Sequence, residues 1–225
     1  MLFEMTRSAQ TSLRKERQYE LTANRLANAN TNGFKKEILS FDERLNPMIT
    51  LDFRQGELQE TGNPLDLAIE GAGFFKVSTP AGMRYTRDGN FTTDTIGRLV
   101  TADGHPVMGK NGPITLTEGE IFFGENGEVI MDAMVFDALD VVNFSDPQAL
   151  SREGSNLFAM DPARTTEIPA GNARIIQGTL EGTNVSTVEE MTNLIAANRM
   201  YEAAGKVMRT SDENDSRAIS MGRPA

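Results

Sequence analysis

Helical patterns occupy the two ends of this 225-residue chain, 1–28 and 186–212, and a long β-like, glycine-punctuated stretch separates them. Neither helix has a helical neighbour in sequence on which to bury an apolar face. Each must therefore find the other, or a helix from another subunit. A chain arranged this way reads as a building block made for stacking rather than as an enzyme.

In the first segment Leu2, Met5, Ala9, Ser12, Tyr19, Ala23 and Leu26 fall on alternating three- and four-residue steps. Leu13 and Leu21 widen that stripe and Glu16 interrupts it, leaving an a/d-like seam that is weak and rich in small residues. The helix is expected to stop within Asn28-Ala29-Asn30-Thr31-Asn32-Gly33, because Asn and Gly tolerate left-handed backbone angles. At the other end Ser186-Thr187-Val188-Glu189 fits a capping box. Val188, Met191, Leu194, Ile195, Asn198, Tyr201, Val207 and Met208 follow at helical spacing, and Asp212-Glu213-Asn214-Asp215 is expected to loosen the end.

The middle is punctuated differently. From Phe34 to about Asp52 no clean period emerges, and Asn46-Pro47 marks a turn, so this part reads as an extended connector. Leu65 to Ile69 alternates at period two, and Phe74-Phe75-Lys76-Val77 reads as strand after the break at Gly71 and Gly73. Pro80-Ala81-Gly82 predicts a hairpin turn, and Asp88-Gly89, Gly97, Asp103-Gly104, Asn111-Gly112 and Asn126-Gly127 punctuate further short β-prone runs. An all-β domain ending near Gly171 is the expectation, with one more strand in 172–180 returning to the connector.

Composition removes several chemistries. Without Cys there is no disulfide, thiolate nucleophile or Cys-based zinc site, and His105, the lone histidine, sits in a turn between Gly104 and Pro106. No run approaches the ~18 apolar residues of a membrane span, and Met1-Leu2-Phe3-Glu4 lacks the layout of a secretory signal. The net charge of −10 is uneven: residues 1–36 carry +4, 37–182 carry −13 and 183–225 carry −1. So acidic a middle argues against a nucleic-acid backbone as partner. Gly71-Ala72-Gly73 lacks the third glycine and following helix of a dinucleotide loop, and 212–216 lacks the Gly and Glu of a calcium loop. Asp66, Glu70, Asp88 and Asp94 cluster in sequence and leave a two-carboxylate, wall-cleaving glycosidase as the enzymatic alternative. A surface adhesin trimerising through its helices is a third. No cofactor and no metal are expected.

Three separated blocks carry a resemblance. Leu26-Ala27-Asn28-Ala29-Asn30-Thr31-Asn32-Gly33-Phe34-Lys35 resembles the signature closing the N-terminal helix in axial proteins of the bacterial flagellum. The run from Gly56 through Asn63-Pro64-Leu65-Asp66-Leu67 to Phe75 looks like the rod and hook group of that family, as does Tyr85-Thr86-Arg87-Asp88-Gly89-Asn90-Phe91 and its continuation to Val107. Leu180-Glu181-Gly182-Thr183-Asn184-Val185, Val188 to Met191 and Asn198-Arg199-Met200-Tyr201-Glu202 resemble its C-terminal helix region. Length and the 180–185 run look most like the F-type proximal-rod branch, with the G-type distal-rod branch next and a hook-type axial subunit behind it. Arg25 departs from the pattern, standing where the family often has a second asparagine beside Asn24.

The resemblance implies an α+β fold in which the N- and C-terminal helices pair as a coiled-coil inner domain, 1–33 with 183–225. An extended connector, 34–64 with 172–182, would lead to an inserted all-β outer domain, 65–171. It implies no enzyme but a structural subunit of the basal-body rod, packing with copies of itself and related subunits into a periplasm-spanning tube that carries torque for motility. Passage through the flagellar type III export apparatus, without a cleaved signal, goes with it. The interface residues it implies are Leu2, Met5, Ala9, Leu13, Leu26, Asn28, Asn30, Thr31, Gly33, Phe34, Val188, Met191, Leu194, Ile195, Asn198, Tyr201 and Met208.

Overall fold

Antiparallel strands outweigh helices in the computed structural model, which describes residues 16–41, 46–117, 119–132 and 134–221. Its centre is a six-stranded sheet in the order Ser151–Arg152, Leu157–Ala159, Gly82–Thr86, Phe74–Thr79, Val141–Phe144, Glu167–Pro169. Thr79 pairs with Gly82, so Pro80 and Ala81 form the predicted two-residue turn. A three-stranded sheet (Ile121–Phe123, Glu128–Met131, Met134–Ala138) and smaller hairpins complete the β body.

Side-chain alternation along the central strand creates two apolar clusters. Phe75 and Val77 point into the larger one with Leu67, Ile69, Phe91 and Leu99. Phe74 points the other way and joins Tyr85, Val142, Phe144 and Phe158. Its ring makes edge-on contacts with Phe53, Phe144 and Phe158 at centroid distances of 5.4, 5.5 and 5.8 Å. The strand Leu67–Glu70 departs from the alternation its sequence suggests: Leu67, Ala68 and Ile69 are all fully buried, because it is covered on both faces.

The return strand predicted in 172–180 forms as two pieces. Arg174–Gln177 pairs with Leu67–Glu70, and Thr179–Glu181 pairs with Leu58–Glu60. A separate hairpin, Glu37–Phe41 with Pro47–Leu51, follows the N-terminal helix where a connector without period was expected, and Pro47 opens its second strand opposite Phe41 instead of forming a turn with Asn46.

The expected coiled-coil inner domain is not what the structure contains. Among the described residues there are two α-helices, 16–27 and Thr187–Met221, and they do not form a paired helical domain. One ion pair, Arg25 to Glu190, joins their roots. Beyond it Val188, Met191, Ile195 and Met200 on one helix, and Tyr19 on the other, are exposed. The physical reason is that spacing reveals a face in need of cover without saying which body covers it. The N-terminal seam, with Ala9, Ser12 and Ala23 in it, has little apolar area to hold a pair together. The C-terminal helix also continues to Met221, past the expected stop at Asp212. Its start follows the sequence reading, with the Ser186 hydroxyl accepting from the Glu189 amide at 3.4 Å.

Because Phe74 is the meeting point of three edge-on aromatic contacts, Phe74→Ala should cost about 4 kcal/mol of unfolding free energy. Denaturant titration followed by near-ultraviolet dichroism measures it.

Candidate assembly surface and its buried anchor

The residues expected to face other subunits fall into three groups. Leu2, Met5, Ala9 and Leu13 lie outside the described residues, as do the side chains of Tyr201 and Met208 on the C-terminal helix. Val188, Met191, Ile195 and Asn198 are exposed and Leu194 is half-buried, so the first turns of that helix present an uncovered apolar stripe. The third group closes the N-terminal helix. Leu26, Asn28 and Thr31 are half-buried and Asn30 is exposed, whereas Gly33 and Phe34 are buried within the chain itself.

Local chemistry explains that last group. The Asn28 amide and side chain both donate to the Asn24 carbonyl, and Asn28 Oδ1 accepts from the Thr31 hydroxyl at 3.3 Å. The helix thus ends, and Gly33 takes φ of +66° to turn the chain into the body. A Cβ at Gly33 would lie 2.4 Å from the Asp88 amide nitrogen, so only glycine lets the two backbones touch there.

Immediately beyond lies a buried charge cluster. Lys35, Arg87 and Glu181 are 0%, 4% and 1% exposed, levels that unpaired ions do not tolerate. Glu181 Oε1 receives Lys35 Nζ at 2.5 Å and the Gly56 amide at 2.9 Å, while Oε2 receives Arg87 at 3.2 Å. Lys35 also donates to the Arg54 carbonyl, and Arg87 to the carbonyls of Ile69 and Gly71. The Arg87 Nε has no hydrogen-bond partner, and the guanidinium carbon sits 5.3 Å from the centre of the Phe74 ring. Burial pulls the Lys35 ammonium below its usual pKa against the opposing attraction of Glu181, and burial likewise lowers Arg87.

Main-chain bonds run through the same place. The Gly33 amide donates to the Glu181 carbonyl at 2.7 Å, and Gly182 donates to Glu57. Asn184 receives the Lys36 amide on its side-chain oxygen and donates its side-chain amide to the Asp52 carbonyl. Gly56 approaches Gly182 so closely that a Cβ would fall 2.0 Å from that carbonyl oxygen. Arg152 stacks 4.2 Å over the Phe34 ring and donates to the Lys35 carbonyl. The chain entering from the N-terminal helix and the chain leaving for the C-terminal helix are therefore clamped together at one point.

Sequence reasoning named the three motif blocks but not the charged residue that each contributes here. Lys35 ends the first block, Arg87 sits in the second and Glu181 in the third. The available signal was a lone charged residue in the first and third runs, whereas Arg87 in the second stands beside Asp88. Nothing in spacing says that residues so far apart in sequence share one carboxylate.

The acidic residues weighed for hydrolysis have other partners. Asp66 accepts from Thr61 and Asn63, Asp94 from Arg98 at 2.8 Å, and Glu70 faces Arg174 at 3.8 Å. Asp88 differs: burial, with Asp66 and Asp103 nearby, pushes its carboxyl up to about 6, although the Asn90 amide opposes this.

Comparison with known proteins fits this geometry. The family described as "Flagellar hook protein FlgE/F/G D1 domain" matches residues 68–131, and "Flagellar basal body rod FlgEFG protein C-terminal" matches residues 176–221. The flagellar basal-body rod protein FlgF of Caulobacter vibrioides is 38% identical over 232 residues, covering 94% of both chains. The FlgF of Mesorhizobium japonicum is 34% identical, covering 94% of this chain and 93% of its own. The FlgG of Borreliella burgdorferi is 32% identical over 84% of this chain and 87% of its own. The chain belongs to the flagellar rod and hook family of axial proteins. It is a structural subunit of the basal-body rod and not an enzyme.

Glu181→Gln leaves Lys35 and Arg87 buried without their anion and should lower stability by about 3–5 kcal/mol. Lys35→Met should cost less, since the carboxylate keeps Arg87 and the Gly56 amide; equilibrium urea unfolding of the two variants checks the order. Asp88 gives a pH test. Its folded pKa lies above the ordinary value of 3.8, so the stability it contributes is full below that value and is lost as pH rises through about 6. Asp88→Asn should therefore raise the melting temperature at pH 8 and change it little below pH 4.

Proposed function

We propose that this chain is the F-type, proximal-rod subunit and that its terminal helices are its contact with neighbouring subunits. The F-type reading is supported by identity and coverage: two FlgF relatives are 34% and 38% identical over 94% of this chain, against 30–32% over 84–86% for three FlgG relatives. The observation that carries the contact reading is the exposed stripe Val188, Met191 and Ile195, with Leu194 half-buried beside it. Exposed apolar positions at helical spacing on an otherwise solvated helix are held for burial against another body. Leu26, half-buried at the end of the N-terminal helix, and the exposed Asn198 are assigned to the same contact, and by their spacing in the sequence so are Leu2, Met5, Ala9, Leu13, Tyr201 and Met208.

The division of labour follows. The β body folds around its own core, and the clamp at Glu181 fixes the roots of both helices to it. The exposed positions Val188, Met191 and Ile195 gain apolar cover in the assembled rod, so assembly and full helix order are coupled. Subunits reach the periplasm through the flagellar type III export apparatus and build a tube that transmits torque to the hook. Among the described residues no helix is long and apolar enough to cross a membrane.

Ile195→Pro breaks the helix at about 3 kcal/mol or more. Cells carrying it should not swim and should build no rod beyond the preceding subunit, while the purified variant keeps the melting transition of the β body. Normal swimming would overturn the contact reading. Locating the subunit within isolated basal bodies tests the proximal position separately.

A further inference from the structure

Between Thr187 and Met200 the C-terminal helix has one buried residue, and it is a carboxylate: Glu190, 2% exposed. Every apolar residue in that span is exposed or half-buried, so apolar packing does not set the helix direction. Glu190 binds Arg25 instead, with Nη1 at 3.1 and 3.3 Å from the two carboxylate oxygens. Arg25 donates its Nε at 2.9 Å, and also its Nη2, to the carbonyl of Glu37. One guanidinium thus joins three segments: the last turn of the N-terminal helix, the first turn of the C-terminal helix and the start of the 37–51 hairpin. Glu37 in turn reaches Arg152 at 3.5 Å, which ties the group to the β body.

Both charges stand where helix ends favour them. A carboxylate in a first turn meets unsatisfied amides, and a cation in a last turn meets unsatisfied carbonyls. Side-chain exposures of 16% and 3% keep the pair out of the screening that makes surface pairs nearly worthless. A planar guanidinium directs its donors along fixed lines, which a lysine ammonium cannot do. Buried ion pairs of this kind specify geometry more than they add stability.

We propose that Arg25 is a positioning residue: it sets the angle and register at which the C-terminal helix leaves the body, and so the direction in which the exposed stripe is offered to the next subunit. The proposal goes beyond the contact reading, because it concerns helix direction in the single subunit and not what the helix touches.

A Cys-free chain allows a direct test. Cysteines introduced as Gln18→Cys and Ala196→Cys in the full-length protein accept nitroxide labels, and pulsed dipolar spectroscopy measures the distance between the helices. The labelled parent should give one narrow distance. Arg25→Gln and Glu190→Gln should each abolish it, and the double variant should add nothing further, the mark of one shared interaction. Arg25→Lys should restore it only in part, since it cannot hold Glu190 and the Glu37 carbonyl together. A broad distance in the parent, or an Arg25→Gln distance as narrow as the parent's, would overturn the proposal. The β-body melting transition serves as the fold control. Loss of swimming in Ile195→Pro with an unchanged distance in Arg25→Gln would overturn this inference while leaving the contact reading standing.

Discussion

The carboxylate of Glu181 is the interaction on which the rest of this subunit depends. Two cations and one backbone amide converge on it, and each comes from a different part of the chain. With it in place the incoming and outgoing strands are clamped; without it Lys35 and Arg87 would stand in a low-dielectric interior with carbonyls as their only acceptors. Interiors reject unpaired charge so strongly that such a cluster admits few alternative arrangements. Conformational specificity matters more than net stability in a part whose task is to hold its shape under torque.

Around that point the molecule separates into a body that satisfies itself and arms that do not. Fifteen buried residues form the larger core cluster and a second, aromatic-rich cluster lies across the central sheet. The C-terminal helix by contrast leaves Val188, Met191, Ile195 and Met200 to solvent. A polymer subunit needs this asymmetry, because a surface satisfied within one chain has nothing left to offer the next. The hairpin 37–51 belongs to the same theme: Ile38, Phe41, Met48 and Ile49 are exposed on a two-stranded ribbon, a form that is marginal in water unless something packs on it.

Local features were legible in the sequence where a residue acts on its own backbone. Gly33 ends the helix region, Pro80-Ala81 makes the hairpin turn and Ser186 caps the final helix, each where its chemistry predicts. Period-two reading found the strand around Leu67–Ile69 but not its burial on both sides, since alternation describes a strand with one solvated face. The paired inner domain was misjudged for a related reason. Amphipathic spacing was right about which face of the C-terminal helix is apolar, and silent about whether the partner lies in the same chain.

Residue identity and order alone determined the class of this protein: helical ends, a β middle, no cysteine chemistry, and three motif blocks of the flagellar axial family. Those are properties of short stretches, written in local propensity and spacing. Only the tertiary structure decided that Lys35, Arg87 and Glu181 meet, that Arg25 links both helix roots, and that Val188, Met191 and Ile195 stay uncovered in the single chain. The reason is range. Turns and caps are set by bonds spanning a few residues, whereas a buried charge finds its partner through the fold, and the cost of leaving it unpaired acts across any distance in sequence.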